Sequence, residues 1–212
     1  MKLMWVPARV NIDFKPLLKK IKISEKGEIG LVAALQHVAQ LPEIQKHVPD
    51  SIIVGQILGC NFEKALKVKD KVSSFLYIGS GPFHPIGLAY ETKMPVYVAN
   101  PSTNEFSKID EKEVQAFEKR KRGLILKYLH SKKVGLIASV KPHQQKWNEC
   151  FRWKKIIEDQ GKEAFLFITN TLDKGSLENF SDIEVWVNTA CPRIEDESMI
   201  NIREVIELSK QK

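Results

Sequence analysis

Ser51-Ile52-Ile53-Val54-Gly55-Gln56-Ile57-Leu58-Gly59-Cys60-Asn61 is the stretch on which the fold turns. It opens with a β-branched apolar run of strand length. It breaks at glycine, passes through Cys60, and gives way to Asn61–Val68, whose spacing reads as a short helix. A strand with apolar residues at successive positions is suited to burial on both faces, which is the condition of a parallel sheet covered by helices.

The same alternation extends outward in both directions. Strands are expected at Leu3–Val6, Ile29–Ala34, Phe75–Ile78, Val96–Val98, Val134–Ser139, Ala164–Thr169 and Ile183–Val187. Helices are expected over Phe14–Ile23, with Asp13 as N-cap, and over Gln36–Val48, restarting at Pro42. Further helices are expected at Glu111–His130, Gln145–Gln160 and Ile202–Leu208. Alternating strands and helices predict an α/β fold with parallel sheets. Pro101, Ser102, Thr103 and Asn104 mark a break near Asn100–Asp110, which divides the chain into two α/β domains, 11–105 and 106–212.

The 212 residues, 43% hydrophobic and 28% charged, describe a globular chain with enough apolar sequence for a core. No run approaches the roughly 20 apolar residues of a membrane span, and no secretory leader is expected at Met1–Pro7. Three cysteines without a Cys-x-x-Cys pair argue against a disulfide framework and a zinc ribbon, and for a reducing compartment, the cytoplasm. The net charge is +7, and Glu111–Lys133 carries most of it, with eight basic and three acidic residues. Such a segment attracts an acidic protein, RNA or an anionic metabolite, or serves only as a solvated helix face. Arg120, Lys121 and Arg122 are its candidate docking residues, and no direct nucleic-acid binding is expected.

Four loops with unusual residues each follow an expected strand, on the edge where open parallel sheets bind ligands. They hold Cys60; Gly79-Ser80-Gly81 with His84; Lys141, His143 and Gln144; and Cys191 with Arg193. Cys60 and Cys191 read either as small buried hydrophobes or as metal or cluster ligands. Cys150, within an amphipathic helix, reads as a packing residue. The Gly79–Gly81 loop is either a tight turn or a nest of amides for a phosphate or carboxylate. His37 and His84 are candidate ligands or acid–base groups, while His47 and His130 read as surface residues near helix ends. No nucleophile elbow, Walker loop or His-Glu-x-x-His motif is present.

Gly55-Gln56-Ile57-Leu58-Gly59-Cys60-Asn61, Tyr77-Ile78-Gly79-Ser80-Gly81-Pro82-Phe83-His84-Pro85 and Ala190-Cys191-Pro192-Arg193 resemble the diphthamide synthase family, the 2-(3-amino-3-carboxypropyl)histidine synthases of archaeal and eukaryotic type. Leu35-Gln36-His37 and Ser139-Val140-Lys141 with Gln144 match as well. The resemblance implies a three-domain enzyme that holds a [4Fe–4S] cluster by one cysteine from each domain. It implies S-adenosylmethionine as substrate, bound at the open iron, and radical transfer of its 3-amino-3-carboxypropyl group to a histidine of translation elongation factor 2. Carried over, Cys60 and Cys191 correspond to the second and third cluster cysteines. Gly79, Ser80, Gly81, His84, Lys141, Gln144 and Arg193 fall to S-adenosylmethionine. The two domains here would be the family's second and third, with Met1–Val10 the tail of the first. The expected partners are elongation factor 2 and a homodimer or a full-length family member. With one cluster cysteine lacking, a non-catalytic scaffold subunit is the alternative to the transferase, and an unrelated nucleotide-binding α/β protein is a third reading.

Overall fold

In a computed structural model, residues 4, 6, 10, 12–141, 144–194 and 196–210 are described. The strand expected at Leu3–Val6 and the reading of Met1–Val10 fall mostly outside these residues, as does His143. The chain divides into two compact units, Met1–Glu118 and Lys119–Lys212.

The first unit runs α1 (Lys15–Leu18), β1 (Ile29–Ala33), a 3-10 segment at Leu35–Gln40, α2 (Leu41–Gln45), β2 (Ser51–Gln56), α3 (Glu63–Val68), β3 (Ser74–Ile78), α4 (Phe83–Thr92), β4 (Val96–Asn100) and β5 (Glu105–Lys108). Its sheet has the order β2-β1-β3-β4-β5, parallel except for β5, which pairs antiparallel with β4. Side chains alternate across this sheet. Leu31, Ala33, Leu76, Ile78, Tyr97 and Ala99 enter one core with α1 and α2, while Val32, Phe75, Tyr77, Val96 and Val98 enter the other with α3 and α4. Two apolar faces are what the strand sequences require. A register shift at Leu31/Val32 sets Val32 against Gly55, and the pairing then continues through Ala33 and Gln56 toward the Cys60 loop.

The helix α5 (Glu111–His130) begins in the first unit and ends in the second, the division lying between Glu118 and Lys119. The second unit continues with β6 (Lys133–Ser139), α6 (Trp147–Glu158), β7 (Glu163–Thr169), α7 (Lys174–Leu177), β8 (Val185–Asn188), β9 (Met199–Asn201) and α8 (Ile202–Ser209). Its four strands, ordered β7-β6-β8-β9, are all parallel. Val134, Leu136, Ala138, Val185 and Val187 pack beneath Tyr128, Cys150, Trp153, Ile157 and Val205 of α5, α6 and α8. The opposite face is thinner, built on Ile137, Trp186 and Met199.

Several elements differ from expectation. The helix expected over Phe14–Ile23 is a single turn, with Pro16 in its first turn and the chain leaving the helix after Leu18. Gln36–Val48 does restart at Pro42, but as a 3-10 segment followed by α2. The Gly/Pro-rich stretch expected as a loop contains α4, because Pro82 and Pro85 both lie where no helical amide donor is needed. The interval Asn100–Asp110 holds the turn into β5, an edge strand too short and polar to announce itself.

Candidate functional site

Cys60 lies at the tip of a turn that its neighbours close. The amide of Leu58 donates to the carbonyl of Asn61 at 3.3 Å, and that of Asn61 donates back to Leu58 at 3.1 Å. Only Gly59 and Cys60 lie between, so the Cys60 side chain stands exposed at the apex. The side chain of Asn61 accepts the amide of Glu63 at 3.0 Å and starts α3. This turn is wedged against the neighbouring loop. A Cβ on Gly59 would fall 1.9 Å from a ring carbon of Phe83, so glycine alone lets the ring lie there. One turn along, Phe62 fills the space left open by Gly87, whose Cβ would lie 2.8 Å from the ring. Aromatic rings from both sides thus lock the Cys60 turn to the start of α4.

Gly79-Ser80-Gly81 forms the approach to that helix. Gly81 has φ +75°, a conformation that a side chain strongly disfavours, and Ser80 and Gly81 are exposed. The amides of the first turn of α4 project from this end, where the helix dipole favours an anion. His84 stacks on Tyr77 at 5.8 Å between ring centroids and meets Phe83 edge-on at 5.7 Å. His37 follows β1 on the same edge of the sheet. It is buried, packed edge-on against Phe14, and burial lowers its pKa.

In the second unit the loops after β6 and β8 leave adjacent strands. Lys141 donates its amide to the Ser139 hydroxyl at 3.1 Å, and Gln144 donates its amide to the Lys141 carbonyl at 3.0 Å, a tight turn that leaves the Lys141 side chain exposed. The Ser139 hydroxyl donates to the Gln144 side chain at 3.4 Å. Cys191 is half-buried, and Arg193 beyond it is exposed. Cys150 is fully buried, its thiol 3.7 Å from the Thr189 hydroxyl, and burial raises its pKa. A buried protonated thiol is a packing group, as its place in the helix led one to expect.

Sequence reasoning missed Asn188 and Thr189. Both are buried, and both tie the Cys191 loop to the sheet. The signal was an uncompensated amide directly after the apolar run Val185-Trp186-Val187. The candidate docking residues separate. Lys121 is largely buried in an ion pair with Glu204 at 3.1 Å, whereas Arg120 and Arg122 are exposed.

Each unit therefore offers one accessible thiol at the carboxyl edge of a parallel sheet. Free thiols are the donor type that iron–sulfur clusters take, so Cys60 and Cys191 fit ligation chemically. Among the described residues no three His, Cys, Asp or Glu side chains gather into one metal-holding group. Among the described residues no helix is long and apolar enough to cross a membrane.

Residues 1–198 match the family described as "Putative diphthamide synthesis protein". The 2-(3-amino-3-carboxypropyl)histidine synthase of Pyrococcus horikoshii is 33% identical over 216 aligned positions, covering 90% of this chain and 61% of that protein. The crystal structure of Dph2 from Pyrococcus horikoshii superposes with a TM-score of 0.80 at 30% identity, over 96% of this chain and 64% of that one. The structure of the same protein with a 4Fe-4S cluster gives 0.73 at 31% identity, over 87% and 58%. The chain thus spans about three fifths of the length of these relatives.

Proposed function

The chain belongs to the diphthamide synthesis family, and from that premise we propose that it acts in the first step of diphthamide formation, transferring the 3-amino-3-carboxypropyl group of S-adenosylmethionine to a histidine of translation elongation factor 2. The observation that carries this reading is the Cys60 turn, an exposed thiol locked by Phe83 and Phe62 against the start of α4. Cys60 and Cys191 would each contribute a thiolate to a [4Fe–4S] cluster. Such a cluster would supply, when bound, the electron that cleaves the sulfur–carbon bond of the substrate.

The chain's own groups bind and orient. The amides of Ser80, Gly81 and the start of α4 would hold the substrate's carboxylate, with no side chain at Gly81 to stand in its way, while the Gly79 amide is given to the Ala99 carbonyl at 3.1 Å. His84, fixed by stacking on Tyr77, borders the same loop. Lys141 and Arg193 bring positive charge to the strand ends of the second unit, and Gln144 is oriented by Ser139. Arg120 and Arg122 would face the elongation factor. The reaction would take place in the cytoplasm.

A second reading is a subunit that works beside a full-length family member. One experiment addresses both. Anaerobic reconstitution with iron and sulfide should give the broad visible absorption of a thiolate-held cluster, and Cys60→Ala and Cys191→Ala should each remove at least about half of the iron, cluster assembly depending on every thiolate present. Cys150→Ala should leave the iron unchanged. Uptake only when a full-length family member is added would select the subunit reading, and uptake indifferent to Cys60 and Cys191 would overturn both.

A further inference from the structure

Asn188 closes β8, pairing with Ile137 of β6 on one side and Asn201 of β9 on the other, and only 2% of it is exposed. A side chain in that position is surrounded by sheet, where an apolar residue would cost nothing to bury. An amide there must have its polar atoms paired. The pairing is directed at one loop. Its Nδ2 donates to the carbonyl of Cys191 at 2.8 Å, with the carbonyl of Ile194 and Oδ1 of Asn201 each at 3.3 Å. Its Oδ1 accepts the amide of Ala190 at 2.9 Å. The orientation is fixed by chemistry, because backbone carbonyls only accept and a backbone amide only donates.

The rest of the loop is held with it. The Cys191 carbonyl also receives the amide of Ile194 at 2.9 Å, so the turn after Cys191 is closed on the same atom that Asn188 grips. On the preceding side, the amide and hydroxyl of Thr189 donate to the Ile137 carbonyl at 3.3 and 2.8 Å. The backbone of Cys191 is thereby fixed on both sides, while its thiol remains accessible.

We propose that Asn188 is the positioning residue of Cys191, its amide setting the direction in which the thiolate meets a metal. The proposal rests on the reading of Cys191 as a cluster ligand. Losing the amide deprives two carbonyls of a donor and the Ala190 amide of its acceptor, so the loop must reorganise to satisfy them.

The test uses the whole chain with Asn188→Asp, which keeps the shape and replaces the donor by an acceptor, and Asn201→Ala, which removes the outer brace and leaves the turn's own bonds in place. Iodoacetamide alkylation of the metal-free protein, resolved residue by residue by mass spectrometry, reads the three thiols separately. The Cys191 rate should change about fivefold in Asn188→Asp, the factor one ordinary hydrogen bond produces in an equilibrium, and by less in Asn201→Ala. Cys60, in the other unit, and buried Cys150 should keep their rates. After reconstitution beside a full-length family member, the electron paramagnetic resonance signal of the reduced cluster should shift in both variants. Should Asn188→Asp also expose Cys150, it has unfolded, and Asn201→Ala decides. Unchanged Cys191 reactivity and an unchanged cluster signal in folded variants overturn the proposal. A wild-type chain that takes up no iron even with its partner sinks the cluster reading and the metal role with it. The alkylation rates then show whether the fault lies there or with Asn188.

Discussion

The Cys60 turn depends on a residue that bears no chemistry. At Gly59 even one methyl group would occupy the place of the Phe83 ring, 1.9 Å from its nearest carbon. Gly59→Ala must therefore push Phe83 off its packed position or twist the turn, and overpacking of this kind costs about 1–3 kcal/mol. The expected result is a lower urea midpoint together with faster alkylation or altered metal uptake at Cys60. Adding Phe83→Leu, which removes the clashing ring edge, should recover part of both. A Gly59→Ala protein as stable as wild type, with an unchanged Cys60, would show that the two loops are not interlocked as the structure has them. Asn188 illustrates the same scale from the other side: a buried polar group at a strand end is held by a particular set of partners or is costly.

At the scale of elements, the segment between α1 and β1 is strapped across the β4–β5 hairpin. Lys20 donates to the Asn104 carbonyl at 2.7 Å, and the Ser24 hydroxyl lies 2.8 Å from that of Tyr97. Glu25 accepts from Lys108 at 2.6 Å and from the Tyr97 hydroxyl, while Tyr97 stacks on Phe106 at 5.5 Å. Burial raises the Glu25 pKa, but the hydrogen bonds from Lys108 and Tyr97 outweigh it and hold the carboxyl at about 2, against an ordinary 4.5. A depressed folded-state pKa stabilises above the unfolded value, and that contribution is lost as the pH falls through the window from 4.5 to about 2. In urea titrations, wild type should exceed Glu25→Gln at neutral pH by a margin that narrows across that window. The Glu25 side chain is 19% exposed but its Lys108 partner is 48% exposed, so the margin is modest and shrinks with salt. A constant margin would assign the strap's stability to packing alone.

For the whole molecule, the surplus of positive charge is the property most relevant to a partner. The eight basic residues of Glu111–Lys133 are not equivalent in the fold. Lys121 is committed to Glu204 of α8, so reversing it would damage the second unit and not only a docking surface. Arg120→Glu with Arg122→Glu changes two exposed residues and leaves the Lys121–Glu204 pair in place. Calorimetric titration against elongation factor 2 at low salt should show affinity weakened on the order of tenfold, two exposed charge contacts at roughly 0.7 kcal/mol each. The loss should fade as ionic strength rises, since exposed charges are screened over roughly 8 Å at physiological salt. Iron uptake should stay unchanged. Equal affinity at both salts would leave the basic segment a solvated helix face.

The amino-acid sequence by itself determined the α/β class, the strands Ile29–Ala33, Ser51–Gln56 and Val134 onward, and the appearance of Cys60, Gly79–Gly81 and Cys191 at the carboxyl ends of strands. These follow from apolar runs of strand length and from glycine and proline, which act through their immediate neighbours. Only the tertiary structure decided that α4 starts inside a Gly/Pro-rich stretch, that β5 and β9 are strands, and that α1 is one turn. β5 and β9 are too short to carry a period, and their pairing is supplied by β4 and β8. The tertiary structure alone also decided that Phe83 and Phe62 wedge the Cys60 turn and that Asn188 grips the Cys191 loop. An aromatic ring or an amide has no assigned role until the fold brings a glycine beside the one and a set of carbonyls beside the other.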